Sequence, residues 1–258
     1  MDMMKNFHTY NDKMQNEIRH IIKSQTDYTH TRIMDYHKKL YNEDRVDDMY
    51  CFVKGCSDNP DIVNAMLNDR TDVIRYSIIK NHDQLFHLLI DNRFLETSCD
   101  CELELEPLLN IAVTSGNTHY IKKILKLDWT DINLSNPKNG NTALHKAVNF
   151  GKKHIVKLLL DNGASTNIQN LNGETPLHLA IKYLKHEITQ MLLDNPKTCV
   201  TIKDNNGKTP LSIAVSYKDS SRLKMIIKAY KSRGINIKPD IITRYTKNNN
   251  LPDMTHLL

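Results

Sequence analysis

The sequence contains few of the residues on which small secreted proteins and membrane proteins depend. Its 258 residues include only 5 Cys, 8 Gly, 8 Pro and 1 Trp. The cysteines are odd in number and irregularly spaced, so they predict neither a disulfide framework nor a paired zinc motif. No apolar run approaches the roughly 18 residues of a membrane-spanning helix, and residues 1–6 lack the apolar core of a secretion signal. We therefore expect a cytoplasmic protein, also compatible with the nucleus, that does not bind membranes.

Motifs for catalysis and cofactor binding are missing as well. The sequence has no phosphate-binding loop, no dinucleotide fingerprint and no Gly-x-Ser-x-Gly nucleophile elbow. Among its 12 histidines, His30 and His37, or His82 and His87, have no cysteine or carboxylate partners at a zinc-site spacing. We predict no enzymatic activity, no catalytic residue, no metal site and no cofactor.

A short phrase of the form Gly-x-Thr-(Ala/Pro)-Leu is present three times. Its threonines are Thr142, Thr175 and Thr209, so the steps are 33 and 34 residues. A period between 20 and 50 residues is typical of a stacked repeat array rather than of one globular core.

The copy at residues 138–168 indicates the structure of one unit. Asn139-Gly140 predicts a turn, and Thr142 can cap the short helix that follows it. Gly151 permits a break, after which a second and more apolar helix ends before Gly163. Each unit is thus predicted to consist of a turn, a short helix, a break, a longer helix and a loop.

These residues resemble the ankyrin repeat, whose pattern is Gly-x-Thr-Pro-Leu-His-x-Ala, then Gly, an Ile-Val-x-x-Leu-Leu run and Gly-Ala. The next copy departs from it at Leu184, which replaces the break glycine, and the third has Ser212 where the family has His. The resemblance implies an all-α ankyrin-repeat solenoid of stacked helix-turn-helix units with a helical N-terminal cap. It also implies that His145 and His178 hydrogen-bond a loop to a helix, and that the chain is a non-catalytic scaffold for protein binding.

The period also predicts how the chain is organised. We expect a helical cap or a separate docking segment at 1–45, degenerate ankyrin repeats at 46–103, four ankyrin repeats at about 104–135, 136–169, 170–203 and 204–238, and a basic C-terminal tail at 239–258. Terminal repeats are expected to depart from the pattern because they cap the stack.

The resemblance places the partner on the concave face, which the turn tips and the exposed side of each first helix form. The residue before the break is aromatic in three successive repeats, as Phe150, Tyr183 and Tyr217. Rigid aromatic side chains often anchor protein interfaces, although these rings could instead shield the helix break. Further candidate contacts are Lys138, Asn139, Asn141, Asn149, Asn172, Glu174, Lys182, Asn206 and Lys208. We expect a monomer that binds a cellular or host protein.

Asn133 is a candidate modification site. Leu125, Asp131, Ile132 and Asn133 resemble the context in which ankyrin asparagines are hydroxylated by an oxygen-dependent asparaginyl hydroxylase. The alternative is that Asn133 only shapes its loop, as asparagines of the family do there.

Charge is distributed unevenly. The chain has a formal net charge of +5, but residues 201–258 alone hold eleven Lys or Arg and four Asp. A basic end can steer an acidic partner. Because the sequence shows no basic platform of stacking aromatics, we do not expect nucleic-acid binding.

The Asn, Lys and Ile bias and the degraded repeats resemble short ankyrin host-interaction proteins of large DNA viruses, in particular poxviruses, which implies a role in modulating host signalling or immunity. Poxvirus ankyrin proteins often end in a box that begins Leu-Pro and recruits a ubiquitin ligase. Only Leu251-Pro252 matches that box here. An alternative function is therefore an adaptor whose N-terminal segment or C-terminal tail recruits separate machinery such as a ligase.

Overall fold

The computed structural model describes residue 35 and residues 38–56, 73–91, 107–128, 130–217 and 220–248. These residues form helices, turns and loops, and none of them is in a β-strand. The bounded helices are α1 (Val46–Cys56), α2 (Val73–Ile79), α3 (Asp83–Asp91), α4 (Leu108–Ser115), α5 (Thr118–Ile124), α6 (Ala143–Asn149), α7 (Lys153–Asp161), α8 (Pro176–Lys182), α9 (His186–Asp194), α10 (Pro210–Ser216), α11 (Ser220–Ser232) and α12 (Pro239–Asn248). The predicted all-α repeat fold is confirmed. The chain divides into two compact units, residues 1–103 and 104–258.

In the first unit, a helical segment at 38–42 precedes α1, and α2 and α3 form a helix pair. Asp44, in the turn before α1, accepts a 2.8 Å hydrogen bond from the Tyr76 hydroxyl and lies 2.6 Å from Lys80 Nζ. The Tyr41 and Tyr76 ring centroids are 4.9 Å apart. The fully buried side chains of this unit are mostly apolar, among them Leu40, Met49, Phe52, Ile74, Ile78, Leu85, Phe86 and Leu89.

In the second unit, helices alternate between two layers. The first helices of successive repeats, α4, α6, α8 and α10, pack in succession, and α12 packs on α10. The second helices α7, α9 and α11 pack in succession as well. The pattern follows from the sequence, because the apolar residues spaced three or four apart, such as Leu144, Ala147 and Val148, are those that become buried.

Hydrogen bonds from the third residue of three first helices link each repeat to the next. Asn110 Nδ2 donates to the Asn141 carbonyl (2.8 Å), His145 Nε2 to the Glu174 carbonyl (3.0 Å), and His178 Nε2 to the Lys208 carbonyl (3.2 Å). The role that the resemblance implies for the two histidines is confirmed.

Each histidine also takes part in the N-terminal capping box of its own helix. Nδ1 of His145 accepts from the Thr142 backbone N–H (3.2 Å), and Nδ1 of His178 accepts from that of Thr175 (3.1 Å). This network requires neutral rings with the proton on Nε2. Burial favours the neutral form and lowers the pKa of His145 to about 4.

Asn110 makes the hydrogen bond to the next repeat but not the one to the start of its own helix. Its Oδ1 atom is buried and has no hydrogen-bond partner within the described residues. The reason is Pro107, which occupies the N-cap of α4 and has no backbone N–H to donate. The first described repeat of this unit therefore keeps the hydrogen bond to its neighbour but lacks the side-chain hydrogen bond at the N-terminus of its first helix.

The C-terminal end contains a helix that we do not predict from the sequence. Residues Pro239–Asn248, which the sequence suggests only as a basic tail, form α12. Ile242 is fully buried and Thr246 nearly so. The Leu251-Pro252 pair and the predicted N-terminal segment up to residue 34 lie outside the described residues.

Candidate functional site

The three aromatic residues lie at equivalent places in successive repeats. Phe150, Tyr183 and Tyr217 each directly follow a first helix, as the C-cap residues of α6, α8 and α10. Phe150 is 49% exposed and Tyr183 is 44% exposed, whereas Tyr217 is half-buried. Because the first helices pack in succession, the rings follow one another along the stack.

A cation lies over each ring. Lys152 Nζ is 5.6 Å from the Phe150 centroid, Lys182 Nζ is 5.8 Å from that of Tyr183, and Arg222 Cζ is 5.8 Å from that of Tyr217. These distances fall within the range of a cation–π interaction. Sequence reasoning does not find this pairing for Lys152 and Arg222, although Arg222 is conspicuous because Ile155 and Ile188 occupy its place in the two preceding repeats.

Two of these cations are fixed by the preceding repeat. Lys152 Nζ donates to the Val113 and Thr114 carbonyls at 2.9 and 2.8 Å, and Arg222 Nη1 donates to the Ile181 carbonyl at 2.8 Å. Those carbonyls lie at the C-terminal ends of α4 and α8, where intrahelical partners are missing and positive charge is favoured. The rings therefore lie against cations that the stack itself holds in place.

The third cation is fixed by an ion pair. Lys182 Nζ lies 2.8 Å from Glu174 Oε1, and this hydrogen bond raises the pKa of Lys182. Glu174, a predicted partner contact, is only 6% exposed. The structure thus places its carboxylate beneath the surface, where it orients Lys182.

The turn tips are linked to one another. The Leu171 N–H donates to the Asn139 carbonyl (3.0 Å), and the Asn205 N–H donates to the Asn172 carbonyl (3.1 Å). Asn141 is half-buried, and its Oδ1 accepts from Asn170 Nδ2 at 3.0 Å. The predicted contacts that reach the surface here and beside the rings are Lys138, Asn139, Asn149, Asn172, Lys182, Asn206 and Lys208.

Two exposed leucines were not among the residues that the sequence singles out for binding. Leu171 is 62% exposed at a turn tip, and Leu184 is 54% exposed beside Tyr183. Leu184 has a φ of 60°, in the left-handed region that Gly116 and Gly151 occupy at the equivalent position. Both leucines stand where the repeat pattern predicts a turn or a break, and those positions are generally at the surface.

The Asn133 side chain links two loops. Its Oδ1 accepts from the Ser165 N–H at 2.8 Å, and its own N–H donates to Asp131 Oδ1 at 2.8 Å. The amide therefore shapes the loop, and hydroxylation of Asn133 stays a prediction.

A metal site is not evident in the part of the chain that the structure describes. There, no group of three or more His, Cys, Asp or Glu side chains is arranged to hold a metal ion. Of the described cysteines, Cys51 is buried and Cys199 is exposed. None of the described helices is long and apolar enough to cross a membrane.

Comparison with known proteins agrees with this architecture. The family model for ankyrin repeats matches in three copies, at residues 49–170, 109–204 and 150–239. These matches span most of the sequence, so the chain belongs to the ankyrin-repeat family. Proteins of this family are typically non-catalytic and bind other proteins.

A viral protein is among its relatives. Over 99 residues the chain is 35% identical to the ankyrin repeat protein FPV031 of Fowlpox virus (strain NVSL). The alignment covers 38% of this chain and 25% of that relative, so the chain matches about a quarter of the viral protein. The resemblance to a poxvirus ankyrin protein is thereby supported.

Proposed function

We propose that this protein is a non-catalytic scaffold that binds another protein through its first-helix side, which we define as the turn tips together with the exposed sides and C-terminal ends of α4, α6, α8 and α10. Phe150, Tyr183 and Tyr217 serve as the anchors. The observation that supports this most strongly is the repeated placement of a surface aromatic ring over a fixed cation in three consecutive repeats.

Packing within a repeat does not account for the rings. About half of the Phe150 and Tyr183 side-chain surfaces remain in contact with water, which is unfavourable for large apolar groups. An aromatic ring that is already held in place loses little conformational freedom when a partner covers it. Exposed, rigid aromatics are the kind of residue that contributes most to protein interfaces.

The relative in Fowlpox virus supports a host protein as the partner. We propose that binding modulates signalling or the immune response in the host, in the cytoplasm or the nucleus, and that the scaffold acts as a monomer.

Affinity purification from vertebrate-cell extract, followed by mass spectrometry, tests this function. The bait is the full chain, compared with a triple Phe150→Ala, Tyr183→Ala, Tyr217→Ala variant. A control variant carries three alanines on the exposed side of the second helices, at His154, Lys157 and Gln190. We expect proteins that the wild type and the control retain and the triple variant loses. If every retained protein also binds the folded triple variant, the proposed surface is wrong.

A further inference from the structure

Carboxylates are distributed unequally between the two sides of the repeats. Residues 107–217 contain seven Asp or Glu. Five of them are exposed, and they all lie on second helices or in the loops that follow second helices: Asp128, Asp131, Asp161, Glu187 and Asp194. The helices α4, α6, α8 and α10 contain neither Asp nor Glu.

The remaining two carboxylates belong to the turn tips and are buried. Glu174 is paired with Lys182 at 2.8 Å. Asp204 Oδ1 accepts from the backbone N–H groups of Asn206 (2.9 Å) and Lys208 (2.8 Å), which shapes the tip. Both groups therefore stabilise the scaffold from within, and neither is presented to a partner.

The first-helix side of these repeats consequently exposes cations and apolar groups without an exposed carboxylate among its described residues. Lys138 and Lys208 are exposed at two turn tips. Between these tips lie the exposed Leu171 and, at the opposite ends of α6 and α8, Phe150 and Leu184. An α-helix rises 1.5 Å per residue, so the seven residues of α6 or α8 separate the tips from the rings by about 10 Å.

We infer that the partner presents an acidic segment in which Asp or Glu side chains alternate with large apolar ones. This inference rests on the proposed function and names the chemistry of the partner for the same surface. Carboxylates would meet the tip lysines while the apolar side chains cover the rings and leucines. Complementary charge of this kind mainly increases the association rate and the specificity. A basic segment would instead be repelled.

Nucleic acid is also acidic, but the surface fits it less well. Binding that follows a phosphate backbone needs a track of several cations. Here the tips expose two lysines, Lys182 is committed to Glu174, and Lys152 and Arg222 donate to backbone carbonyls of the preceding repeat. The rings could stack on bases, but the exposed Leu171 and Leu184 beside them cannot, so the surface is not a continuous stacking platform.

Selection from a random 12-residue peptide display library, with the full chain as bait, tests the inference. We expect the enriched peptides to contain at least twice the Asp and Glu content of the starting library, together with more Phe, Leu and Ile. Binding of a synthesised peptide from the enriched set should weaken as salt increases, because exposed charges are screened. The peptide should also bind more tightly than a 15-residue oligothymidine.

Charge reversal at the tips provides the matched comparison. Lys138→Glu with Lys208→Glu should weaken binding of the enriched peptide at least tenfold. Lys122→Glu with Lys157→Glu makes the same change in net charge on the second-helix side and should leave the affinity within twofold. Lys182 is left unchanged because its loss would strand the buried Glu174 carboxylate.

The outcomes separate the inference from the proposed function. Enriched peptides that lack acidic residues, yet lose binding to a Phe150→Ala, Tyr183→Ala variant, would overturn the acidic partner and leave the binding surface intact. An affinity unchanged by the tip reversal, or tighter binding of the oligothymidine, would also overturn it. If no peptide is enriched, or if the enriched peptides bind the Phe150→Ala, Tyr183→Ala variant as well as the wild type, the inference and the proposed function are both wrong.

Discussion

Leu184 occupies a backbone conformation that its side chain disfavours. Its φ of 60° places the β-carbon near the following carbonyl, and this left-handed geometry costs roughly 1–2 kcal/mol for residues other than glycine. Because the side chain is 54% exposed, burial offsets little of that cost. Strain of this kind often accompanies a functional role, and here the strained residue adjoins an exposed ring of the proposed surface.

We therefore predict that Leu184→Gly raises the free energy of unfolding by about 1 kcal/mol through relief of this strain. The reciprocal change Gly151→Ala should lower it by a similar amount, because the atoms nearest to its new β-carbon belong to the flexible Lys185 side chain, with Nζ at 3.1 Å. Urea denaturation of both variants measures the two effects. A decrease in stability for Leu184→Gly would show that the leucine contributes packing that outweighs its strain.

His145 links folding to pH. Burial lowers its pKa to about 4 in the folded chain, against about 6.5 in an unfolded chain. Between these values the unfolded state binds more protons, so stability falls as the pH falls. The contribution is fully present above about pH 6.5 and fully lost near pH 4. Burial lowers the pKa of His178 as well, which acts in the same direction.

We predict that His145 accounts for a loss of about 3 kcal/mol in unfolding free energy from pH 7 to pH 4, as one pKa unit corresponds to about 1.4 kcal/mol. Urea denaturation across this range should give a shallower pH dependence for His145→Gln than for the wild type. Replacing the exposed His154 by Gln is the control and should preserve the slope. Equal slopes for His145→Gln and the wild type would contradict the assignment.

At the scale of elements, the turn tips show how the stacking of repeats limits which residues a position can hold. Gly140 and Gly207 open equivalent phrases and have φ values of 71° and 73°. A β-carbon on Gly140 would lie 2.6 Å from the Leu171 backbone nitrogen of the next tip, whereas one on Gly207 would meet no atom of the described residues within 4 Å. Backbone conformation thus favours glycine at both positions. A neighbouring tip additionally excludes a side chain at Gly140.

The expected result is that Gly207→Ala costs about 1 kcal/mol, which is the backbone strain alone. Gly140→Ala should cost about 2 kcal/mol more, because the clash is with backbone atoms that cannot rotate away. Thermal or urea unfolding of the two variants in parallel measures the difference. Equal costs would mean that the tips are not packed as closely as this structure has them.

The elements that the sequence predicts best are those with local signals. Turn glycines, the capping Thr142 and the apolar period indicate α6 to α10 from single repeats, because each signal acts within a few residues. By contrast, α12 is marked by few apolar residues, chiefly Ile242, which is fully buried. Such a short pattern does not distinguish a packed helix from a basic tail.

The sequence predicts only part of the candidate site. The repeat period places Phe150, Tyr183 and Tyr217 at one structural position. The cations over two of these rings depend on tertiary contacts, since Lys152 is fixed by carbonyls 38 and 39 residues earlier. The burial of Glu174 likewise follows from its neighbours in space, and no pattern along the chain indicates it.

At the scale of the whole molecule, the two sides of the repeats differ in the side chains that they expose. The first-helix side carries exposed rings, leucines and lysines, while the exposed carboxylates lie on the second-helix side of residues 107–217. The inter-repeat bonds of His145 and His178 and the turn-tip bonds fix these side chains relative to one another. The second unit therefore offers a largely preorganised surface, which reduces the entropy cost of binding.

The most direct test is the affinity of the isolated partner, measured by titration calorimetry, for the wild type, the triple aromatic variant and the second-helix control. Circular dichroism and urea unfolding first establish that all three are folded. We predict that the triple variant binds at least about 100-fold more weakly, since aromatic anchors commonly contribute 2 kcal/mol or more each, and that the control binds as the wild type does. Undiminished affinity of the folded triple variant would contradict the claim that these rings anchor the partner.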